Sequence, residues 1–426
     1  MLSYLLARAG VPVIALEKHA DFFRDFRGDT VHCSTFDLFH ELGLLEDLLI
    51  VPHQELRAAT AIIGGARFRA ADFTRVPACT KFIALMPQWD FLSFLSEKAR
   101  QYPSFDLRMR HEAVGLIREG GRVAGVQVRT GEGETLEIRA DLVVACDGRH
   151  STLRNGARMP VTEFGVPIDV LWFRLSRRAD DPEQLLGNVN YGKFLILLNR
   201  GDYFQAGIII RKGAFETLQE RGLEAFRRDL AQVAPFLGDR VNEVTDWEQI
   251  RLLTVKINRV HQWRQPGLLL IGDAAHAMSP AWGVGINLAI QDSVVAARLL
   301  TRPLLERRVT EADLARVQER REFPVRVTQW LQTLVHNQMD RLFDQPGPFE
   351  APWQVRALLA IPAVPHLVGR FVGMGIRPGH IGEPAKPAPT RPDKAGRRKP
   401  LITVCAGIAA AAVVFTVVRL WRLTDS

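Results

Sequence analysis

The residues best suited to chemistry lie between positions 267 and 300. An acidic residue, Asp273, closely follows the apolar run Leu268–Ile271, and the glycine-rich string PAWGVG occupies Pro280–Gly285 before a long apolar-faced segment. A carboxylate at the end of a strand accepts hydrogen bonds from hydroxyl groups, and the free N–H groups that open a helix stabilise negative charge. Strand, acid, glycine loop and helix together would rarely arise by chance, and they suit a polar, partly anionic ligand.

A second motif lies between positions 140 and 154, in ADLVVACDGRHSTLR. Its apolar run Leu142–Cys146 predicts a short buried strand, and the pair Asp147-Gly148 predicts a turn whose backbone can approach a ligand. Ser151 can then cap a following helix. Taken alone, the same pattern is equally consistent with an ordinary strand-to-helix turn.

The N-terminal segment carries a third signal. Leu2–Ala9 is predicted to be a helix that ends at Gly10, and the next apolar run, at 11–16, predicts a strand that ends in Glu17. In a dinucleotide-binding βαβ unit, an acid in this place accepts hydrogen bonds from ribose hydroxyls, whereas a solitary acid is more often a surface charge.

A strand and a G-x-G-x-x-G turn should precede such a helix. We therefore expect Met1 to be an internal methionine, with the coding sequence starting about 15–25 residues upstream. The alternative is a truncated, poorly active protein.

Together the three segments resemble the class A FAD-dependent monooxygenases related to para-hydroxybenzoate hydroxylase, over roughly residues 1–345. The resemblance implies that Glu17 holds the adenosine ribose, that Arg27 and Gln88 lie near the phosphate and ribityl region, and that Asp273 binds the ribityl chain. The remaining cofactor-binding residues that it implies are Asp147 and Gly148 of the D-G motif, Gly272 of the G-D motif, and, toward the isoalloxazine, Pro280, Gly283, Val284, Gly285, Ile286 and Asn287.

The same resemblance implies a β-rich substrate domain that covers the flavin. Candidate pocket residues are Trp172, Phe204, Gln205 and Trp282, although a core role is the stronger expectation for Phe204 and Trp172. Trp282 departs from the family, which often has a small residue there. No catalytic acid or base is assigned, His276 has no assigned proton transfer, and no metal site is predicted.

The predicted fold class is α/β, with a Rossmann-type FAD-binding domain interleaved with a β-sheet substrate domain and followed by a C-terminal hydrophobic helix. The predicted parts are FAD-binding segments at 1–72, 85–160 and 263–310, a substrate-domain excursion at 73–84, the β-rich substrate domain at 161–262, a helical region at 311–383, a linker at 384–400 and a transmembrane helix at 401–420.

The implied activity uses FAD, with NAD(P)H as a transient electron donor and O2 as co-substrate, to hydroxylate or epoxidise a small aromatic or polyketide-like molecule. A flavin-dependent reductase of isoprenoid chains shares this architecture and is the main alternative. A flavin halogenase is disfavoured because the sequence has no W-x-W-x-I-P string. A non-catalytic protein with a decayed flavin fold is the remaining alternative.

The C-terminal tail is distinct in composition. Of the net charge of +8, most lies after residue 384, where eight basic residues face two acidic ones. The body therefore has no basic block that would favour nucleic acid. Leu401–Val418 carries no charge and is flanked by basic residues, which predicts a membrane anchor with the enzyme body in the cytoplasm; a buried helix of a cytoplasmic protein is the alternative. The four scattered cysteines also fit a reducing compartment.

Overall fold

The computed structural model describes residues 1–23, 30–182, 185–345 and 347–382. It has a mixed α/β architecture. Its α-helices in these ranges are α1 (Leu2–Arg8), α2 (Cys33–Glu41), α3 (Leu45–Ile50), α4 (Gln88–Arg100), α5 (Thr152–Gly156), α6 (Phe215–Glu220), α7 (Leu223–Val233), α8 (Val284–Leu305), α9 (Glu311–Leu342), α10 (Trp353–Ala360) and α11 (Ala363–Met374).

The strands are short, and most of them belong to small sheets. Across the described ranges they are β1 (Val13–Glu17), β2 (Thr30–Val31), β3 (Gln54–Leu56), β4 (Ala58–Ile63), β5 (Ala66–Asp72), β6 (Ile83–Leu85), β7 (Phe105–Met109), β8 (His111–Glu119), β9 (Arg122–Thr130), β10 (Thr135–Arg139), β11 (Val143–Ala145), β12 (Val161–Phe164), β13 (Ile168–Ser176), β14 (Leu185–Asn190), β15 (Lys193–Asn199), β16 (Tyr203–Arg211), β17 (Arg251–Thr254), β18 (Ile257–Val260), β19 (Arg264–Gln265) and β20 (Leu268–Leu270).

Parallel strand pairs form the centre of the first layer. β1 pairs with β7, and β11 pairs with β20 in the register Ala145↔Leu270. All three residues of β20 are fully buried, as expected for parallel strands with both faces covered. Helices α1 and α4 pack on each other, and α1 also packs on α8, so that helices and strands share the largest hydrophobic core.

A seven-stranded sheet forms the second layer, in the order β17-β13-β16-β15-β14-β4-β5. Side chains along its central strands point alternately to the two faces of the sheet. One face packs on α7, with Phe173 against Phe226. The other carries Trp172 and Ile209 and packs on the end of α9. The predicted β-rich domain therefore also contains helices α6 and α7.

The sheet also includes strands from an early part of the chain. β4 and β5, at 58–72, pair with each other, and β4 pairs in parallel with β14. The sequence predicts the excursion into the substrate domain at 73–84, whereas the two strands that join the sheet lie earlier, at 58–72. The local sequence gives no signal for this pairing, because β4 and β14 are far apart in the chain.

Helix α11 closes one side of the molecule against β5 and α2. The contact is close at Gly369, where a Cβ atom would lie 2.0 Å from the carbonyl oxygen of Asp72. Glycine is therefore required for this helix to approach the strand. The Nδ1 atom of His32, at the start of α2, lies 2.8 Å from the carbonyl oxygen of Val372 in α11.

One long apolar helix of the described residues, Ala281–Leu305, has the length and composition of a membrane span. Two-thirds of its most apolar window is buried, because it is α8 with its preceding turn and packs in the main core. The bent pair α10 and α11 passes the same test only when the two are counted together. The predicted anchor, Leu401–Val418, lies outside the described residues.

Candidate functional site

Asp273 lies in a short 3-10 turn at the carboxyl end of β20. The turn spans Gly272–Ala274, and Gly272 has a φ of 59°, in the left-handed region that favours glycine. The Asp273 side chain is 32% exposed, although its neighbours on both sides are buried. A carboxylate held in this way can accept hydrogen bonds from the hydroxyl groups of a ligand.

The D-G and G-D motifs lie side by side. Because β11 and β20 are parallel neighbours, their carboxyl ends meet at the same edge. The Nη2 atom of Arg149 lies 3.6 Å from Asp273 Oδ2, and Arg154 Nη1 donates to the carbonyl oxygen of Ala274 at 3.0 Å. The structure thus brings together two motifs that were recognised separately in the sequence.

The Asp147 side chain serves the turn that it begins. Its Oδ2 accepts a hydrogen bond from the backbone N–H of Leu153 at 3.1 Å. Ser151 Oγ accepts from the N–H of Arg154 at 2.9 Å, which confirms the predicted cap. Gly148 has a φ of 83°, and a Cβ atom there would meet nothing within 4 Å. The backbone of Gly148 is therefore open to a ligand.

The loop before α8 contains two successive residues with positive φ. Trp282 has a φ of 66° and Gly283 one of 62°. Helix α8 then begins at Val284, and no side chain of the described residues caps its first turn. Its uncapped N–H groups can stabilise negative charge on a ligand.

Asn287 fastens this loop to the start of α2. Its Oδ1 accepts from the backbone N–H of His32 at 3.0 Å and from Thr35 Oγ1 at 2.8 Å. Its Nδ2 donates to the carbonyl oxygens of Thr30 and Gly283, each at 3.2 Å. A Cβ atom at Gly283 would lie 2.1 Å from Thr30 Oγ1, so this position needs glycine for space as well as for φ.

The other predicted cofactor residues lie on different elements. Glu17 ends β1, as predicted, and its Oε1 accepts from the N–H of His19 at 2.9 Å. Gln88 is the first residue of α4. Pro280, Gly285 and Ile286 belong to the loop and the first turn of α8. Arg27 lies outside the described residues.

The predicted pocket residues divide between two faces of the large sheet. Trp172 of β13 lies opposite Gly207 of the neighbouring strand β16. Gln205 precedes Gly207 by two residues on β16, so its side chain lies on the same face of the sheet as Trp172. Phe204 is buried on the opposite face, in the core formed with α7, and Trp172 is buried in the cluster against the end of α9. Both positions fit the core role that was the stronger expectation for these two residues. Trp282 lies in the loop before α8 and packs edge-to-face on Phe371, with ring centroids 6.0 Å apart.

A buried carboxylate that no sequence motif predicts, Asp292, holds the G-D turn. Asp292 Oδ2 accepts from the N–H of Gly272 at 3.0 Å and lies 2.6 Å from His276 Nε2. Arg321 Nε donates to Asp292 Oδ1 at 2.7 Å. All three side chains are fully buried or nearly so. An acid within the apolar helix α8 was the only signal in the sequence.

Two opposing influences act on the pKa of Asp292. Burial alone would raise the pKa, but the neighbouring His276 and Arg321 lower it below its usual value. The carboxylate is therefore ionised in the folded protein, and His276 serves this structural cluster with its Nε2 atom. Its ring also packs on Trp263, with ring centroids 4.8 Å apart.

We expect Asp292→Asn to destabilise the fold by about 3–5 kcal/mol, because the buried Arg321 guanidinium would lose its counter-charge. The folded-state pKa lies below the unfolded value near 4, so the charge stabilises the protein at neutral pH. That contribution is lost as the pH falls through the folded pKa. Urea unfolding of parent and variant between about pH 7 and pH 3 should show a difference that narrows in acid.

The matched control is Glu322→Gln, since Glu322 neighbours Arg321 in the chain and forms a partly exposed ion pair with Arg326 at 3.7 Å. We expect this change to cost less than about 1 kcal/mol. If the two variants lose the same free energy of unfolding, Asp292 has no special role in the fold.

Comparison with known proteins agrees with this geometry. The family model described as "FAD binding domain" matches residues 1–331. The chain is 31% identical over 322 residues to 6-methylpretetramide 4-monooxygenase of Streptomyces rimosus, covering 75% of this chain and 77% of that protein. It is 27% identical over 201 residues to digeranylgeranylglycerophospholipid reductase of Thermoplasma volcanium, covering 46% and 49% of the two chains.

The fold is also similar to that of a solved structure, the anhydrotetracycline hydroxylase from Streptomyces rimosus. The TM-score is 0.64 at 20% sequence identity, covering 90% of this chain and 75% of that one. The family match covers more than three-quarters of the sequence and includes all three motifs. The chain therefore belongs to the FAD-binding domain family and is an FAD-dependent oxidoreductase of the para-hydroxybenzoate hydroxylase-like class.

Proposed function

We propose that this protein is an FAD-dependent monooxygenase that uses NAD(P)H and O2 to hydroxylate or epoxidise a small organic molecule of aromatic or polyketide-like character. The carrying observation is the 31% identity to 6-methylpretetramide 4-monooxygenase over most of both chains. The paired motifs at Asp147 and Asp273 support it, because they lie within the matched region and meet at one sheet edge.

The residues at this edge fit FAD. The partly exposed Asp273 carboxylate is the proposed acceptor for the ribityl hydroxyls, and Glu17 is the proposed acceptor for the adenosine ribose. Gln88 and Arg27 are proposed to lie near the phosphates. The uncapped start of α8 and the open backbone of Gly148 leave room and N–H donors for a cofactor. Because the side-chain amide of Asn287 is engaged by α2 and the loop, we assign Asn287 to holding the loop in place.

When bound, FAD supplies the redox chemistry and the activation of oxygen. The chain's own task is to orient the reactants and to exclude water. The α8 N-terminus would stabilise negative charge at the pyrimidine edge. Gln205 on the large sheet and Trp282 at the loop are the proposed substrate contacts. Trp172 is buried against the end of α9 and is assigned to the core on the same face as Gln205, and Phe204 supports the sheet from its opposite face.

The direct test is purification in the presence of FAD, followed by a screen of aromatic and polyketide-like compounds. We expect a yellow protein whose NAD(P)H oxidation and O2 consumption rise together when a substrate is added. A product that carries one oxygen atom from 18O2 would establish oxygenation. Flavin reduction without incorporation of oxygen into any tested product would count against a monooxygenase.

Asp273→Ala should release FAD more readily than any other substitution of a predicted cofactor residue. Loss of charge-assisted hydrogen bonds costs about 1.5–3 kcal/mol each, or roughly ten- to a hundredfold in affinity. The measurement is a titration of the flavin-free variant with FAD, in which the quenching of fluorescence reports binding.

Asp239→Ala is the control, because Asp239 is 81% exposed and pairs with Arg178 in the substrate-sheet region. Its FAD affinity should equal that of the parent. If Asp273→Ala also binds FAD as tightly as the parent, the assignment of the G-D motif to the ribityl chain is wrong.

A flavin-dependent reductase of an isoprenoid-type substrate is the second candidate. The relationship to digeranylgeranylglycerophospholipid reductase favours it, although that match covers less than half of either chain. The two functions differ in their use of oxygen. A reductase should saturate its substrate under strict anaerobiosis, whereas a monooxygenase should form no product there.

We further propose that Leu401–Val418 anchors the protein in a membrane, with the body in the cytoplasm. The basic residues on both sides of this uncharged run support the proposal. Full-length protein should sediment with membranes, and deletion of residues 385–426 should give a soluble protein that still binds FAD. Recovery of the full-length chain entirely in the soluble fraction would argue for the cytoplasmic alternative.

A further inference from the structure

Helix α9 runs from the G-D motif to the substrate-side sheet. Arg321, in its first half, binds Asp292, and Asp344, just beyond its end, pairs with Arg211 of β16. Met339 and Phe343 pack into the cluster that contains Trp172. Between these ends, Gln332 and His336 of α9 contact the residues directly before Trp282 and Gly283.

Gln332 is fully buried and binds this loop through both ends of its amide. Its Oε1 accepts from the backbone N–H of Ser279 at 3.1 Å. Its Nε2 donates to the carbonyl oxygens of Ser279 and Ala281, each at 3.1 Å. One side chain therefore binds three backbone groups of the loop, two of them in fully buried hydrogen bonds. A buried backbone group left without a partner is costly.

His336 lies one turn further along α9 and binds the side chain of the same serine. Its Nε2 lies 3.1 Å from Ser279 Oγ, which also accepts from the N–H of Ala281 at 3.1 Å. Burial lowers the pKa of His336 to about 4, so the ring is neutral at pH 7. A neutral ring can accept a hydrogen bond from the serine hydroxyl at Nε2, and the hydroxyl oxygen can then accept one from the backbone N–H of Ala281.

The held segment leads directly into the residues with positive φ. A tryptophan at a φ of 66° persists only where its surroundings fix it, because the left-handed region costs a non-glycine residue roughly 1–2 kcal/mol. The preceding residues Ser279 and Ala281 are fixed from α9, and the following Gly283 is fixed by Asn287. The loop is thus held on both sides of the strained residue.

We propose that Gln332 and His336 are positioning residues, which fix Ser279–Ala281 so that the Trp282-Gly283 turn presents the start of α8 to the flavin. The flavin part of this inference rests on the proposed function. The residues act through the loop and do not need to touch the cofactor. No residue of the sequence motifs predicts this role, because it arises from a contact between distant parts of the chain.

The test compares Gln332→Met, which keeps side-chain length but removes the amide, with Thr328→Val on the same helix. Thr328 is also buried, but its hydroxyl donates to the carbonyl oxygen of Pro324 within α9. We expect Gln332→Met to weaken FAD binding on the order of tenfold and to alter the visible flavin spectrum at saturating FAD. Thr328→Val should leave both unchanged. A lower melting temperature with the parental FAD affinity and spectrum would mean that Gln332 is merely structural.

Hydrogen exchange of the 277–287 segment tests the same contact without flavin. Exchange should be faster in Gln332→Met than in Thr328→Val, and unchanged exchange would overturn the inference. His336→Phe and His336→Gln provide a second pair if Gln332→Met does not fold: the glutamine variant, which retains a partner for the Ser279 hydroxyl, should be closer to the parent in exchange and spectrum. Equal behaviour of the two would also overturn it. A parent protein that holds no FAD would instead refute the proposed function, and the exchange result would still decide the contact.

Discussion

The carboxylate of Asp292 is the interaction on which the cofactor side of this fold depends. It joins three elements through short contacts: the turn after β20 at Gly272, the helix α8 that carries it, and α9 through Arg321. Such a cluster is stable only when every member is paired, because an unpaired charge in a low-dielectric interior is costly. The position of Asp273 relative to the start of α8 is therefore set by one buried charge and its partners.

Local signals in the sequence predicted the elements that follow from local physics. The apolar run before Asp273, the serine cap at Ser151 and the strand that ends in Glu17 all form nearly as expected, since each depends on residues within a few positions. The partners of Asp292 could not be predicted in this way. His276 and Arg321 lie 16 and 29 residues away, and nothing in their own surroundings indicates that they meet.

The same limit explains the large sheet. Its strands could be recognised by their apolar residues. The inclusion of β4 and β5 in this sheet, however, depends on the pairing of β4 with β14, which lies more than a hundred residues away in the chain. The packing of Trp172 on one face of this sheet depends on the absence of a side chain at Gly207. A Cβ atom at Gly207 would lie 2.6 Å from the indole ring of Trp172, so glycine allows the ring to lie across the neighbouring strand. The separation of Phe204 from Gln205 then follows from the alternation of side chains.

The position of α11 bears on how proteins of this family can diverge. The family match ends at residue 331, whereas α11, at Ala363–Met374, packs on Trp282 through Phe371 and lies against His32 through Val372. A segment outside the shared region thus forms part of the wall behind the glycine loop. Substitutions in α11 can therefore change the packing of the glycine loop without changing any motif residue. The setting of the cofactor side of the fold thus depends on a helix that contains none of the motif residues.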